Sequence, residues 1–295
     1  MESTRERAAV LALMARRLRP WNQLSEAIEE RESALALLED LTTDSTRLFD
    51  DDDQTGPSLD ELQASVLKWQ QEGIRLMTVL DAAYPANLRM VHDRPPALFI
   101  RGELQSGDER SLAIVGTRKA SEKGLAQAQE IARSAVAAGY SVVSGLAAGI
   151  DTAAHQAALE EKGRTLAVIG TGLHHNFPKQ NAALQARLGR ESAVISQFFP
   201  EQEARRWTFP LRNAVMSGFA RATVVVEAGN TSGARMQARL AIEHGRPVFL
   251  LRSLLQFEWA QTYADDRPGT YVVDGGQEII DHVERLYSKN LVLQG

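Results

Sequence analysis

The chain has 295 residues, 44% of them hydrophobic, with 33 Lys and Arg set against 38 Asp and Glu for a formal charge of −5, and no cysteine. That length and apolar content suffice for one sizeable α/β core with a smaller appendage, and the missing thiol removes disulfides, Cys-ligated zinc, iron–sulfur clusters and thiol catalysis. The acidic balance excludes a chain that coats nucleic acid through its overall field, so any nucleic-acid site has to be a local patch.

Arg5, Arg7, Arg16 and Arg17 interrupt the apolar residues at the start, and no apolar run is long enough to span a bilayer, so cytoplasmic residence is expected. From Thr4 to Leu41, apolar positions such as Val10, Leu11, Met14 and Leu18 recur at helical spacing, which predicts two or three short helices. The stretch from Phe49 to Ser58 joins four consecutive aspartates to Gly and Pro; like-charge repulsion and turn formers mark it as a linker. Residues 1–55 are accordingly expected to form an N-terminal helical region, residues 56–108 a helix and strand extension packed on the core, and residues 109–295 the main domain. Within the extension, a helix from Leu59 to Gln71 takes Ser58 as its N-cap, and a strand follows at Arg75 to Val79.

From Ser111 onward, short β-branched runs alternate with alanine-rich helices: Leu112–Val115, Ser141–Val143, Leu166–Ile169, Ala193–Ile195, Thr223–Val226 and Val248–Leu251. Both faces of these strands are apolar, which indicates a parallel sheet covered on both sides. The fold class is α/β: a Rossmann-like, parallel-rich sheet with helices on both faces, plus the small N-terminal helical region. The tail holds a turn at Arg267-Pro-Gly269 and a helix from about Gln277 to Tyr287.

In an open parallel sheet, ligands bind beyond the carboxyl ends of the strands, where helix N-termini present free N–H groups to anions. Three successive strands end there in glycine turns: Gly116 to Gly124, Ser144 to Asp151, and Gly170 to Lys179. Any single turn is equally explained by a tight strand-to-helix connection; together they favour a concave, N–H-lined trough for phosphate. Arg118, Lys119, Lys123, Lys179, Arg205, Arg206, Arg212 and Arg235 all fall in the same set of loops or helix starts, although a cation taken singly is better accounted for by solvation. The expected phosphate-binding set is Gly116, Thr117, Arg118, Lys119, Ser144, Gly145, Gly149, Gly170, Gly172, Lys179, Arg212, Asn213, Ser232, Gly233 and Arg235. No glycine turn continues into Gly-Lys-Ser or Gly-Lys-Thr, and Gly145 and Gly149 do not complete Gly-x-Gly-x-x-Gly. Neither a P-loop ATPase nor a dinucleotide cofactor is indicated, and no cofactor is expected.

Ala113-Ile-Val-Gly-Thr-Arg118 resembles the Ile-Val-Gly-Ser-Arg turn of the DprA/Smf family, and Val143-Ser-Gly-Leu-Ala-Ala-Gly-Ile-Asp-Thr-Ala-Ala-His155 resembles its Ser-Gly-Leu-Ala-x-Gly-Ile-Asp signature. Ile169-Gly-Thr-Gly-Leu173, Phe177-Pro178, Phe209-Pro-Leu-Arg-Asn213, Val225-Val-Glu-Ala228 and Ser232-Gly233 follow in the family's order, so the resemblance runs over roughly Gly73 to His282. It implies a single-stranded DNA-binding protein without sequence specificity, acting in DNA processing, natural transformation or recombination, self-associating as a dimer and loading the RecA recombinase. It further implies that Arg118 and Arg212 contact phosphates. The chain departs from the family pattern at Arg212-Asn213-Ala214, where a second arginine is lost, at Ser196-Gln197 and at Arg252-Ser253; the first departure should weaken DNA contact.

Asp151 and His155 stand four residues apart at a helix start, the spacing of an acid–base pair, but helix capping explains the aspartate better. Glu227 is the one weak candidate for catalysis. Related Rossmann-like phosphoribohydrolases place a glutamate near here beside a Pro-Gly-Gly-x-Gly-Thr turn, whereas this chain has Ser232-Gly233-Ala234-Arg235. The alternative function is therefore a nucleotide-binding sensor or a nucleotide N-glycosidic hydrolase, and the favoured one is a binding protein rather than an enzyme. His174-His175 has no third ligand at metal-site spacing and is read as a polar loop. Phe177, Phe198, Phe199 and Trp207 are available for stacking on bases, and are equally well explained as core.

Overall fold

A computed structural model describes residues 2–16, 20–45 and 56–292. The charged linker before Gly56 lies outside the described residues, and with it the expected boundary at residue 55.

Three helices open the chain: α1 (Glu2–Arg16), α2 (Trp21–Arg31) and α3 (Ala34–Ser45). Ala8 to Met14 are all buried, so α1 is apolar around its circumference and has to be covered on every side; α3 and α4 (Leu59–Gln71) pack on it. The Glu6 carboxylate of α1 accepts hydrogen bonds from Ser33 Oγ at 2.7 Å and Ala34 N at 2.8 Å, supplying the free amides that begin α3. The N-terminus of α4 carries a capping box: Ser58 Oγ accepts from Glu61 N at 3.2 Å and Glu61 Oε2 accepts from Ser58 N at 2.8 Å.

The rest of the chain builds a nine-stranded sheet from β1 (Ile74–Thr78), β2 (Ala97–Gly102), β3 (Ser111–Val115), β4 (Ser141–Ser144), β5 (Thr165–Val168), β6 (Ala193–Ser196), β7 (Ala222–Val225), β8 (Val248–Leu251) and β9 (Thr270–Val273), in the order β1-β2-β6-β5-β4-β3-β7-β8-β9. β2 pairs antiparallel with β1 and β6, and every other pairing is parallel. The helices between and after the strands are α5 (Ala86–Arg89), α6 (Glu122–Ala137), α7 (Ile150–Glu160), α8 (Ala182–Glu191), α9 (Thr208–Phe219), α10 (Gly233–Glu243), α11 (Glu258–Asp266) and α12 (Gly276–Val292).

Alternation along the strands splits the core in two. Leu112 and Ile114 of β3 join Val224 of β7 and Phe249 of β8 in a cluster with α6, α7 and α12; Ala113 and Val115, Val225, and Val248 and Leu250 belong to a second cluster with α9, α10 and the N-terminal helices. Successive side chains point to opposite faces of a strand, so the two clusters are the two faces of one sheet, each covered by helices. This is the α/β architecture read from the sequence. β2 and β9 were not among the expected strands, and α12 runs five residues beyond its expected end at Tyr287. No helix among the described residues is long and apolar enough to cross a membrane.

From β3 the chain steps in one direction through β4, β5 and β6; β7 then lies on the other side of β3 and the path continues outward through β8 and β9. Strand order therefore reverses between β3 and β7, and the loops leaving their carboxyl ends diverge to open a crevice.

Candidate functional site

A cleft of about 470 Å³ occupies that crevice. Gly116, Thr117, Arg118 and Lys119 after β3 form one wall, and Gly229, Thr231 and Ser232 between β7 and α10, with Gly233 and Ala234 at the start of α10, form another; Phe209, Arg212, Asn213 and Met216 of α9 make the floor with Asp151 of α7. A hollow of about 110 Å³ continues it past Gly145 and Gly170 to Phe177 and Pro178. Arg118, Ala147, Phe209 and Arg212 line both, so the two are one trough.

Phe209 stands at its centre. The guanidinium carbons of Arg118 and Arg212 lie 5.4 Å and 6.0 Å from its ring centroid, and the Phe177 ring lies 5.5 Å away, an arrangement in which the quadrupole of one ring holds two cations near each other. Arg118 and Lys119 are exposed. Arg212 is 6% exposed and serves a different purpose: its Nη1 donates to the carbonyls of Gly145 and Val168, and its Nε donates to Asn213 Oδ1 at 2.9 Å. Nη2 has no hydrogen-bond partner among the described residues and is the donor left for the trough. Burial pulls the Arg212 guanidinium below its usual value, and the nearby Asp151 carboxylate opposes this. Burial likewise pushes Asp151 up, against Arg212 and the amides of Ala147 and Gly145.

The glycine turns hold the rim together more than they present it. Thr117 N donates to Glu227 O at 2.7 Å, Gly145 N and Ala147 N donate to Asp151 Oδ2 at 3.1 and 3.3 Å, and Gly172 N donates to Gln202 O at 2.7 Å. Those amides are spent. Gly116, Arg118, Gly170 and Gly233 keep N–H groups that meet no protein acceptor among the described residues. Side-chain cations therefore carry more of the anion-binding capacity than an N–H-lined trough would require.

Of the expected phosphate-binding residues, Gly116, Thr117, Arg118, Lys119, Gly145, Gly170, Arg212, Asn213, Ser232 and Gly233 come together in the trough. Ser144 does not: it is fully buried and its hydroxyl donates to Ile114 O at 2.6 Å. Gly149 and Gly172 are packing glycines, since a Cβ at Gly149 would strike the carbonyls of Thr117 and Arg118, and one at Gly172 those of Phe199 and Pro200. Exposed Lys179 lines neither part of the trough, and Arg235 sits round the corner of the Ser232 turn in a separate hollow with Arg239. Lys123 lines a neighbouring hollow and Arg205 pairs with Glu203 at 3.0 Å, so the expected single edge of cations contracts to Arg118, Lys119 and Arg212. Among the aromatics, Phe177 and Trp207 are 41% and 46% exposed, whereas Phe198 is buried and Phe199 packs on Trp69 and Phe99. Phe209 and Gln237 line the cleft without having been singled out as ligands; the Phe-Pro-Leu-Arg-Asn motif was the available signal for the first, and none marked the second.

The Glu227 carboxylate accepts from Ser121 N at 3.1 Å and Ser121 Oγ at 2.8 Å, and a Cβ on Gly124 would run into it. It anchors the start of α6 and does not line the main cleft. His155 is wholly buried with Nδ1 2.7 Å from Thr165 Oγ1, and burial pushes its imidazole down to about 3; it faces the core, so Asp151 and His155 form no acid–base pair on the trough. His174 Nε2 lies 2.7 Å from Glu72 and His175 Nε2 lies 2.9 Å from Glu201 O, a polar loop.

The sequence model of the DNA recombination-mediator protein A family matches residues 75–283, close to the span over which the motifs resembled DprA/Smf. The DNA processing protein DprA of Streptococcus pneumoniae is 36% identical over 208 residues, covering 70% of this chain and 73% of that protein. The DprA of Bacillus subtilis is 33% identical over 182 residues, 61% of each chain, and Protein Smf of Escherichia coli is 36% identical over 191 residues, 64% of this chain and 51% of that one. The chain thus spans between about half and three quarters of these relatives' lengths. The crystal structure of the Streptococcus pneumoniae protein superposes with a TM-score of 0.75 at 28% identity, covering 93% of this chain and 97% of that one. DNA processing protein A of Helicobacter pylori shares the fold at a TM-score of 0.64 and 20% identity, covering 72% and 96%. With the family model matched over 209 of 295 residues, from 75 to 283, and the fold shared with the Streptococcus pneumoniae protein, the chain belongs to the DNA recombination-mediator protein A family.

Proposed function

We propose that this chain binds single-stranded DNA along the trough, without sequence preference, and serves in DNA processing, uptake or recombination in the cytoplasm. The observation that carries the reading is the meeting of Arg118, Lys119 and Arg212 with Phe209 and Phe177 in one trough at the reversal of strand order. Cations track a phosphate backbone and exposed rings stack on bases of any identity, which together give sequence-tolerant binding. The Helicobacter pylori relative is known for its single-stranded DNA binding mode, and the family's members are named for DNA processing. On this reading the chain acts as a binding protein and not as an enzyme, forms a homodimer and delivers the strand to RecA.

The cleft is also large enough for a mononucleotide, but the one carboxylate suited to cleaving such a ligand, Glu227, lies outside it and is engaged by Ser121. Strand binding is therefore favoured over nucleotide hydrolysis. The test is anisotropy of a labelled oligothymidine titrated at several salt concentrations. Log affinity should fall with log salt at about −0.7 per phosphate neutralised, and Arg118→Ala and Lys119→Ala should each make the slope shallower by about that amount. An unchanged slope in both variants overturns the assignment.

A further inference from the structure

We propose that His92, Asp93 and His244 form a binding site for one divalent transition-metal ion of the zinc class, separate from the DNA-binding trough. Each residue offers one ligand atom, and the three atoms lie within 4.8 Å of one another. Two imidazoles and a carboxylate are a donor set suited to Zn²⁺, with the fourth position left to water.

The geometry between Asp93 and His244 is what points to an ion. His244 Nε2 and Asp93 Oδ1 approach to 2.7 Å, yet both atoms are buried and neither completes a hydrogen bond. A hydrogen bond requires the N–H to aim at the oxygen; a shared metal requires both lone pairs to aim at a third point beside them, with the two donors close but misaligned. The other side of the ring agrees. Ser217 Oγ lies 2.8 Å from Nδ1 of His244 and 3.1 Å from Ala214 O. The Ser217 contact fixes the ring plane, as the second hydrogen bond of a metal-ligating histidine does, and a bound ion would take the Nε2 lone pair with the ring proton on Nδ1.

His92 completes the set from solvent. Its exposed ring meets that of His244 edge-on, with centroids 5.5 Å apart. Ligand bonds of about 2.0–2.1 Å place tetrahedral donors roughly 3.3 Å apart, so His244 Nε2 and Asp93 Oδ1, now 2.7 Å apart, have to part slightly while the exposed His92 ring swings inward by up to about 1.5 Å. The ion would tie the segment between α5 and β2 to the far ends of α9 and α10, since Ser217 lies in the last turn of α9 and His244 is the C-cap of α10. The opposite ends of the same two helices carry Arg212, Asn213, Ser232 and Gly233 into the trough. The expected effect is a stiffer platform for the trough, with no direct part in holding DNA.

The test uses the full chain stripped with a chelator, titrated with ZnCl₂ and assayed for bound metal after gel filtration, alongside melting curves and the visible absorption of a Co²⁺-substituted sample. The expected result is about one Zn²⁺ per chain, a melting temperature that rises with zinc and falls back with chelator, and a tetrahedral Co²⁺ band. His92→Ala, at an exposed position and with circular dichroism as the check that the fold is intact, and Asp93→Asn should each weaken zinc binding by roughly tenfold or more. Absence of stoichiometric zinc overturns the proposal. So does zinc bound equally well by both variants, which would place an adventitious ion elsewhere, as at His174 and Glu72.

Discussion

Replacing Gly145 by alanine should be among the most damaging single-methyl changes in this protein, and the structure says why. A Cβ there would fall on Nη1 and Cζ of Arg212 and on Oδ2 of Asp151. Arg212 cannot yield outward, because its guanidinium is buried and held by the carbonyls of Gly145 and Val168. Hydrogen bonds from a charged group contribute about 1.5–3 kcal/mol each, and forcing a methyl into a filled core costs about 1–3 kcal/mol. Losing one such bond and crowding the rest gives a destabilisation of about 4 kcal/mol, or roughly 6–7 °C in melting temperature for a chain of this size. Gly233, in the same trough, is the control: a Cβ there meets nothing within 4 Å, and at the first position of α10 alanine should be neutral or slightly stabilising. Urea unfolding followed by tryptophan fluorescence measures both. A Gly145→Ala loss under about 1 kcal/mol, or equal losses at the two glycines, would refute the packing argument for Arg212.

Two further outcomes follow from buried or engaged groups. Because burial pushes His155 down to about 3 from the ordinary imidazole value of about 6.5, its neutral form contributes stability that is fully present above pH 6.5 and is lost as pH falls toward 3. Between pH 6 and pH 4 the unfolded chain takes up the proton while the folded chain does not, worth about 2–3 kcal/mol; His155→Gln should lose that much less over the interval, and parallel pH profiles for the two proteins would contradict it. Glu227 should have no part in chemistry: the chain incubated with nucleoside monophosphates should release no free base by chromatography, and base release abolished by Glu227→Gln would reverse the reading of that carboxylate as an anchor for Ser121.

The strands from β3 to β8 were legible because each is a short β-branched run buried on both faces, a pattern that needs no tertiary information. Leu59 to Gln71 was read correctly at both ends, since Ser58 and Glu61 write their capping box into the sequence. β2 was hidden: Ala97 to Gly102 follows Pro95-Pro96 and becomes a strand by inserting antiparallel between β1 and β6, partners more than 110 residues apart from each other in sequence. β9 is a half-buried edge segment with too short an apolar pattern to stand out. At the site, Arg118 and Arg212 were legible through their motifs. Which glycine amides stay free was not, because that is decided by distant acceptors such as Glu227 O for Thr117 N and Gln202 O for Gly172 N.

The net charge and the proposed partner are reconciled by how the cations are spent. Many of the chain's arginines are held by carboxylates: Arg89 and Arg94 by Glu29, Arg164 by Asp108, Arg187 by Glu191, Arg239 by Glu243 and Arg252 by Asp274. Arg118, Lys119 and Arg212 have no ion-pair partner within 4 Å among the described residues. At physiological ionic strength charges beyond about 8 Å are largely screened, so a strand in the trough responds to those three cations and only weakly to the acidic surface elsewhere. The acidic total still matters at low salt, where the screening length grows. Affinity should therefore rise less steeply on dilution of salt than the count of cations in the trough alone would give, because the remote carboxylates begin to repel the strand as the nearby cations attract it.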